Sequence, residues 1–307
     1  MDEHFINKHR FVEKYRPTDL NIIRGNENII KCLKSFDIND LPNMLFHGPP
    51  GTGKTTAIKA LIHQKMSMFN VLELNASDDR GIDVVRNEIK HFAEASVEHR
   101  LVILDEVDFM SKDAQGALRR IMEDYYNCRF CLICNYARKI IEPIQSRCAK
   151  FRFKPIETKY MKRYICDIIR KEDMKVEDED GINILLEGCE GDLRKLVNDL
   201  QGIKRSYEII SKRNVEEFLG KTGEEFLDEI WMILNDKAIS YEEAYKKINR
   251  NEIECETLTD EMFKRVLKED SADKFDKIIE LAKIEEAISL GCSEAIQLGA
   301  LVGLFKR

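Results

Sequence analysis

Two rhythms of apolar residues run along this chain and change over near residue 155. In the first half, short apolar runs (Met44-Leu45-Phe46, Val71–Leu74, Leu101–Leu104, Phe130–Cys134, Phe151–Phe153) alternate with segments whose apolar side chains return every three or four positions. Ile29, Ile30 and Leu33 make one such segment; Ile58, Leu61 and Ile62 another; Leu118, Ile121, Met122 and Tyr125 a third. Runs of the first kind read as strands buried on both faces, and the periodic segments as helices with one apolar stripe. Their alternation predicts a parallel sheet covered by helices on both sides. Ahead of them, Val12-Glu13-Lys14-Tyr15-Arg16-Pro17 reads as an extended or turn segment, because proline fixes φ and restricts the residue before it.

From Glu157 onward only the helical period remains, over Lys159–Lys171, Asp178–Gly188, Asp192–Arg205 and Asn214–Leu219. Gly220-Lys221-Thr222-Gly223 breaks it, and Glu224–Arg307 is again helical. The expected architecture is an α/β core over residues 1–155, a small all-α domain over 156–222 and a second all-α domain over 223–307.

Composition excludes several classes. With 307 residues, 43% hydrophobic and 34% charged, the chain has ample material for two or three folded domains. The start, Met1-Asp2-Glu3-His4, lacks the apolar stretch of a secretory signal, and no apolar run approaches membrane-spanning length, so a soluble intracellular protein is expected. A net charge of −7 argues against a histone-like coat on nucleic acid. Nine cysteines without framework spacing read as free thiols. Cys128, Cys131 and Cys134 are spaced like part of an iron–sulfur run, yet they fall on a strand, where side chains three apart point to opposite faces.

One stretch carries specific chemistry. Gly48-Pro49-Pro50-Gly51-Thr52-Gly53-Lys54-Thr55-Thr56 follows the first strand and opens a helix, which is the order a phosphate-binding loop requires. Its glycines let backbone N–H groups turn inward, and the helix start adds partial positive charge. Lys54 is expected to reach the β and γ phosphates of a nucleotide, with the Thr55 hydroxyl on Mg²⁺. Leu101–Leu104 ends in Asp105 and Glu106, which places both acids at the carboxyl edge of the sheet beside that loop. Asp105 fits the metal, and Glu106 fits a group that orients or deprotonates an attacking water. Asn135 ends the next strand; its spacing suits a γ-phosphate contact and a plain turn equally.

Arg147 and Arg194 read either as exposed solvated cations or as site residues. Arg194 falls in the first turn of a helix capped by Asp192, where a cation opposes the macrodipole. Arg86 and Lys90 share a helix flank, and Lys112, Gln115 and Arg119 share a face of the helix after Ser111. Such helices can grip a phosphate backbone, although Asp83, Glu88 and Asp113 nearby also fit a solvated mixed face.

Taken in order, Val12–Pro17, Gly48–Thr55, Leu74-Asn75-Ala76-Ser77-Asp78-Asp79-Arg80-Gly81, Asp105-Glu106-Val107-Asp108, Ala117-Leu118-Arg119-Arg120, Ser146-Arg147-Cys148 and Gly191-Asp192-Leu193-Arg194 resemble the small subunits of replication factor C, the AAA+ clamp loaders of eukaryotes and archaea. The resemblance covers residues 11 to about 202. Arg24 and Val107 depart from it, standing where the family usually has an apolar residue and alanine.

The resemblance implies a RecA-like ATPase core, a helical lid, and a collar joining five subunits into a ring. It also implies that ATP and Mg²⁺ are the cofactors, that Val12, Tyr15 and Arg16 help form the adenine pocket, and that Asn135 and Arg194 sense the nucleotide. Arg147 would act in trans on a neighbouring subunit's nucleotide. Gln115 would couple DNA contact to Glu106, and Arg80, Arg86, Lys90 and Lys112 would follow the DNA backbone. The implied partners are the other ring subunits, a sliding clamp and primer–template DNA, in the nucleus if the source is eukaryotic and the cytoplasm if archaeal. Two alternatives stay open: a subunit that binds ATP structurally without hydrolysing it, and another DNA-remodelling AAA+ ATPase.

Overall fold

The alternating half of the chain folds, in a computed structural model, around one five-stranded parallel sheet. Its strands are β1 (Met44–His47), β2 (Val71–Asn75), β3 (Arg100–Asp105), β4 (Cys128–Cys134) and β5 (Ala149–Arg152), in the order β2-β3-β4-β1-β5. The structure describes residues 10–37, 40–65, 70–76, 82–94, 100–220, 224–250 and 253–306. They fall into two compact units, 1–218 and 219–307.

Burial explains the strand runs. Leu101, Val102, Ile103 and Leu104 are wholly buried, and alternate residues enter different layers. Leu101, Ile103, Cys131 and Ile133 pack with Met44, Phe46 and the helix Lys54–Lys65. Val102, Leu104, Phe130 and Leu132 pack on the other side with Leu118, Ile121 and Met122 of the helix Lys112–Asp124. The same alternation separates the cysteines: Cys131 lies in the first layer, Cys128 and Cys134 in the second. Burial pushes the Cys128 thiol up to about 11 and the Cys134 thiol to about 12, so both are protonated and inert at neutral pH.

Strand order fixes the geography of the site. β4 lies between β3 and β1, and all run in one direction, so the segments after β1, β3 and β4 leave the sheet at one carboxyl edge. The loop from Gly48, the carboxylate of Asp105 and Asn135 are brought together by this alone.

Beyond the sheet lie the helices Thr158–Lys171, Glu179–Gly188, Leu193–Ser206 and Lys212–Phe218. Two expectations need correction. Residues after Glu157 are not purely helical, because Lys175–Val176 and Ile209–Ile210 pair as a small parallel sheet. Strands of two residues are too short to leave a periodic signal. The segment Phe11–Lys14 is a short helix rather than extended chain, because the restraint from Pro17 reaches back only to Arg16.

The second unit holds the helices Glu224–Asn235, Tyr241–Asn249, Cys255–Lys268, Lys274–Ser289 and Glu294–Phe305. They enclose a separate core that includes Ile230, Leu258, Met262, Leu281 and Leu301. Among the described residues, no helix is long and apolar enough to cross a membrane. Lys221–Gly223, part of the expected boundary segment, lie outside the described residues.

Candidate phosphate-binding cleft

The loop between β1 and the helix Lys54–Lys65 turns through three glycines of positive φ: Gly48 at 143°, Gly51 at 65° and Gly53 at 90°. Two of them also have no room for a side chain. A Cβ on Gly48 would sit 2.2 Å from the Phe153 carbonyl oxygen, and one on Gly51 only 1.7 Å from Asp192 Oδ1. The loop is thus packed against the end of the sheet on one side and the start of the helix Leu193–Ser206 on the other.

Lys54 is buried and converges on this turn. Its Nζ donates to Gly48 O (2.7 Å), Pro49 O (2.8 Å) and Asn135 Oδ1 (3.0 Å). Burial lowers its pKa, with Asp105 pulling the other way. Beside it the Thr55 hydroxyl donates to Asp105 Oδ2 at 2.8 Å. A hydroxyl and a carboxylate form the all-oxygen donor set that Mg²⁺ takes, so these two residues fit the metal. Glu106 lines the same cleft with φ 58°, a left-handed conformation that is costly for a residue with a side chain and recurs at functional sites.

The opposite wall comes from the helical layer. Asp192 caps the helix Leu193–Ser206, its Oδ1 accepting from Arg194 N (2.8 Å) and Lys195 N (3.1 Å). The next N–H, of Leu193, donates to Gly51 O at 3.2 Å, and Arg194 lines the cleft. An arginine in a first turn is explained by this position, since it sits over a loop suited to polyphosphate.

The cleft gathers most of the residues expected from sequence. Val12, Arg16, the loop from Pro50 to Thr56, Asp105, Glu106, Asn135 and Arg194 all line it. Gly48 and Pro49 stand behind, as carbonyl acceptors for Lys54. Tyr15 does not line it; its ring packs edge-on against Phe11 and its hydroxyl donates to Glu172 of the helical layer. The short helix Phe11–Lys14 turns Tyr15 away from Val12 and Arg16.

Arg147 lies outside the cleft, exposed and ion-paired with Glu123, with Nη1 donating to Pro143 O at 2.7 Å. Of the four cations expected to follow DNA, Lys112 is exposed in the first turn of its helix, and Lys90 is exposed and 3.6 Å from Glu94. Arg86 lies on the helix Ile82–Glu94, and Arg80 falls outside the described residues. Gln115 is not on a solvent face with Lys112 and Arg119: it is 1% exposed. Its Nε2 donates to Met110 O (3.1 Å) and Lys139 O (3.2 Å), and its Oε1 accepts from Ile141 N (2.9 Å). A fully paired amide can be buried without penalty, and here it ties the segment after Glu106 to the segment after Asn135.

Sequence reasoning assigned no role to Asp108. Its buried side chain accepts from the backbone N–H groups of Asn135 and Tyr136, each at 3.2 Å, and so holds the end of β4 in place. Its place in Asp105-Glu106-Val107-Asp108 was the available signal.

Comparison with known proteins agrees with this geometry. Residues 44–156 match the family described as ATPase family associated with various cellular activities (AAA), and residues 225–303 match the replication factor C C-terminal domain. The chain is 40% identical to probable replication factor C subunit 5 of Caenorhabditis elegans, over 96% of this chain and 86% of that protein. It is 39% identical to replication factor C subunit 4 of Homo sapiens, covering 95% and 86%. With replication factor C small subunit of Archaeoglobus fulgidus the identity is 38%, covering 94% and 95%. Among solved structures, the Thermotoga maritima RuvB Holliday junction branch migration motor shares the fold, with a TM-score of 0.58 at 17% identity over 95% of this chain and 90% of that one.

Proposed function

The chain belongs to the replication factor C small-subunit family and carries an AAA ATPase domain, and from this premise we propose that it is an ATP-hydrolysing subunit of a clamp loader. In this reading the assembly opens a sliding clamp and places it on primer–template DNA. The observation that carries the proposal is the meeting of Lys54, Thr55, Asp105, Glu106 and Asn135 in one cleft. A glutamate at the mouth of a phosphate loop has a use in hydrolysis and none in structural binding.

Lys54 and the loop N–H groups bind the phosphates, and Asn135 orients Lys54. Glu106 takes a proton from the attacking water as that water adds to the γ-phosphorus and ADP leaves. Thr55 and Asp105 hold Mg²⁺, which when bound neutralises charge on the phosphate oxygens. Val12 and Arg16 meet the base. Arg194 reports the nucleotide from residues 156–222, read as a lid; residues 223–307 are read as the collar. Arg147 completes a neighbouring subunit's site, and Arg80, Arg86, Lys90 and Lys112 follow the DNA backbone, with Gln115 coupling that contact to Glu106. The partners in this reading are the other subunits of a five-membered ring, the clamp and the DNA, with a nuclear location in a eukaryotic source.

Reconstituting the complex with its clamp and primed DNA tests this directly. Clamp- and DNA-stimulated ATP hydrolysis is expected, and Glu106→Gln should remove this subunit's share while leaving its ATP binding intact. Full turnover by the Glu106→Gln complex would favour a subunit that binds ATP without hydrolysing it.

A further inference from the structure

The N-terminal arm approaches the cleft from the helical layer and not from the sheet. Among the described residues, every hydrogen bond that leaves Phe11–Arg16 for another element ends on that layer. Phe11 N donates to Gln201 Oε1 at 3.1 Å, and Tyr164 OH donates to Tyr15 O at 2.6 Å. Lys14 Nζ donates to Glu172 Oε1 at 2.6 Å, and the Tyr15 hydroxyl donates to the same oxygen. Glu172 also receives Lys204 Nζ on Oε2 at 2.6 Å, so one carboxylate joins the arm, the C-terminal end of Thr158–Lys171 and the helix Leu193–Ser206. Its side chain is only 9% exposed. Burial by itself raises the carboxyl pKa, but the bonds from Lys14, Lys204 and Tyr15 outweigh it and bring the group down to about 2.

From this arrangement we infer that Glu172 is a positioning residue for nucleotide binding: it latches the arm to the helical layer, so that the cleft wall formed by Val12 and Arg16 travels with Arg194. The inference rests on the nucleotide reading of the cleft given above. Physically, the arm helix has four residues and cannot hold its own conformation. Its placement must therefore come from contacts, and the two made by its own side chains to the helical layer, from Lys14 and Tyr15, converge on Glu172. The phosphate loop is fixed without the arm, by β1, the helix Lys54–Lys65 and the bond from Leu193 N–H to Gly51 O. Losing the latch should therefore weaken recognition of the base-bearing end of a nucleotide and spare recognition of its phosphates.

The test compares binding of ATP and of inorganic tripolyphosphate to the full chain by calorimetry, for wild type, Glu172→Gln and Lys14→Met. Removing a charge-assisted bond worth roughly 1.5 kcal/mol corresponds to about a tenfold loss of ATP affinity in Glu172→Gln, with tripolyphosphate unchanged. Lys14→Met removes one of three donors and leaves the buried carboxylate in place, so about a threefold selective loss is expected there. In the assembled complex the same variants should raise KM for ATP and leave kcat within a factor of about two. Equal losses for ATP and tripolyphosphate, or unchanged ATP affinity in both variants, would overturn the latch. Failure of the wild-type chain to bind either ligand would instead overturn the nucleotide reading of the cleft, and the latch with it.

Discussion

Replacing Asp108 by alanine tests whether the end of β4 is held by this one carboxylate. Oδ2 accepts two backbone N–H groups, of Asn135 and Tyr136, and the side chain is 7% exposed. Bonds to a charged acceptor contribute about 1.5–3 kcal/mol each, and at 3.2 Å these two belong at the low end, about 3 kcal/mol together. Against that, the variant also removes Oδ1, which is buried without a partner among the described residues, and relief of its desolvation offsets about 1 kcal/mol. A net loss of about 2 kcal/mol is expected, which for a urea m-value of about 2 kcal/mol/M lowers the unfolding midpoint by about 1 M. Far-UV circular dichroism is the suitable probe, because the single tryptophan, Trp231, lies in the second unit. Activity should fall further than stability, by about tenfold to a hundredfold in kcat, since Asn135 positions Lys54 and small displacements in a site are costly. Asp108→Asn keeps an acceptor for both N–H groups and should lose under about 1 kcal/mol. A midpoint within about 0.3 M of wild type for Asp108→Ala, with turnover retained, would refute the argument.

Gly51→Ala should weaken ATP binding at least about tenfold by calorimetry, since alanine at positive φ costs about 1–2 kcal/mol and its Cβ would displace Asp192. Gln115→Ala removes three hydrogen bonds to the part-buried backbone groups of Met110, Lys139 and Ile141 and should destabilise the first unit by about 2–3 kcal/mol in urea titration. Arg147→Ala should leave this chain's own ATP affinity unchanged and lower hydrolysis by the reconstituted ring by about tenfold or more, read in single-turnover assays. For Glu172 the folded pKa of about 2 lies below the ordinary carboxylate value, so its stabilisation is complete above that ordinary value and is lost as pH falls toward 2. Because Lys14 and Lys204 are partly exposed, the contribution is discounted to about 1–2 kcal/mol. The stability gap between wild type and Glu172→Gln, measured in urea, should therefore be full at pH 7, shrink steadily below the ordinary carboxylate value and close only as pH falls through about 2.

The sequence by itself determined the parts of this protein whose physics is local. A phosphate loop needs glycines, a lysine and a helix start in one order along a short stretch, so Gly48–Thr56 could be read without knowing the fold. The runs Leu101–Leu104 and Phe130–Cys134 announced buried strands for the same reason, and with them the separation of the three cysteines onto two faces. Family resemblance then drew Val12, Arg16 and Arg194 to the cleft that they line. What only the tertiary structure decided are meetings between groups far apart in sequence. Asp108 finds its N–H partners 27 and 28 residues away because β3 and β4 are neighbours in the sheet. Gln115 had a polar side chain at a position that read as solvent-facing, and its burial rests on three backbone partners that no periodicity records. Tyr15 was expected to face the base, but its direction is set by Glu172, 157 residues on. Periodicity encodes which face of an element leaves water; it carries no information on which distant acceptor a buried donor will meet, because that depends on how the elements are stacked.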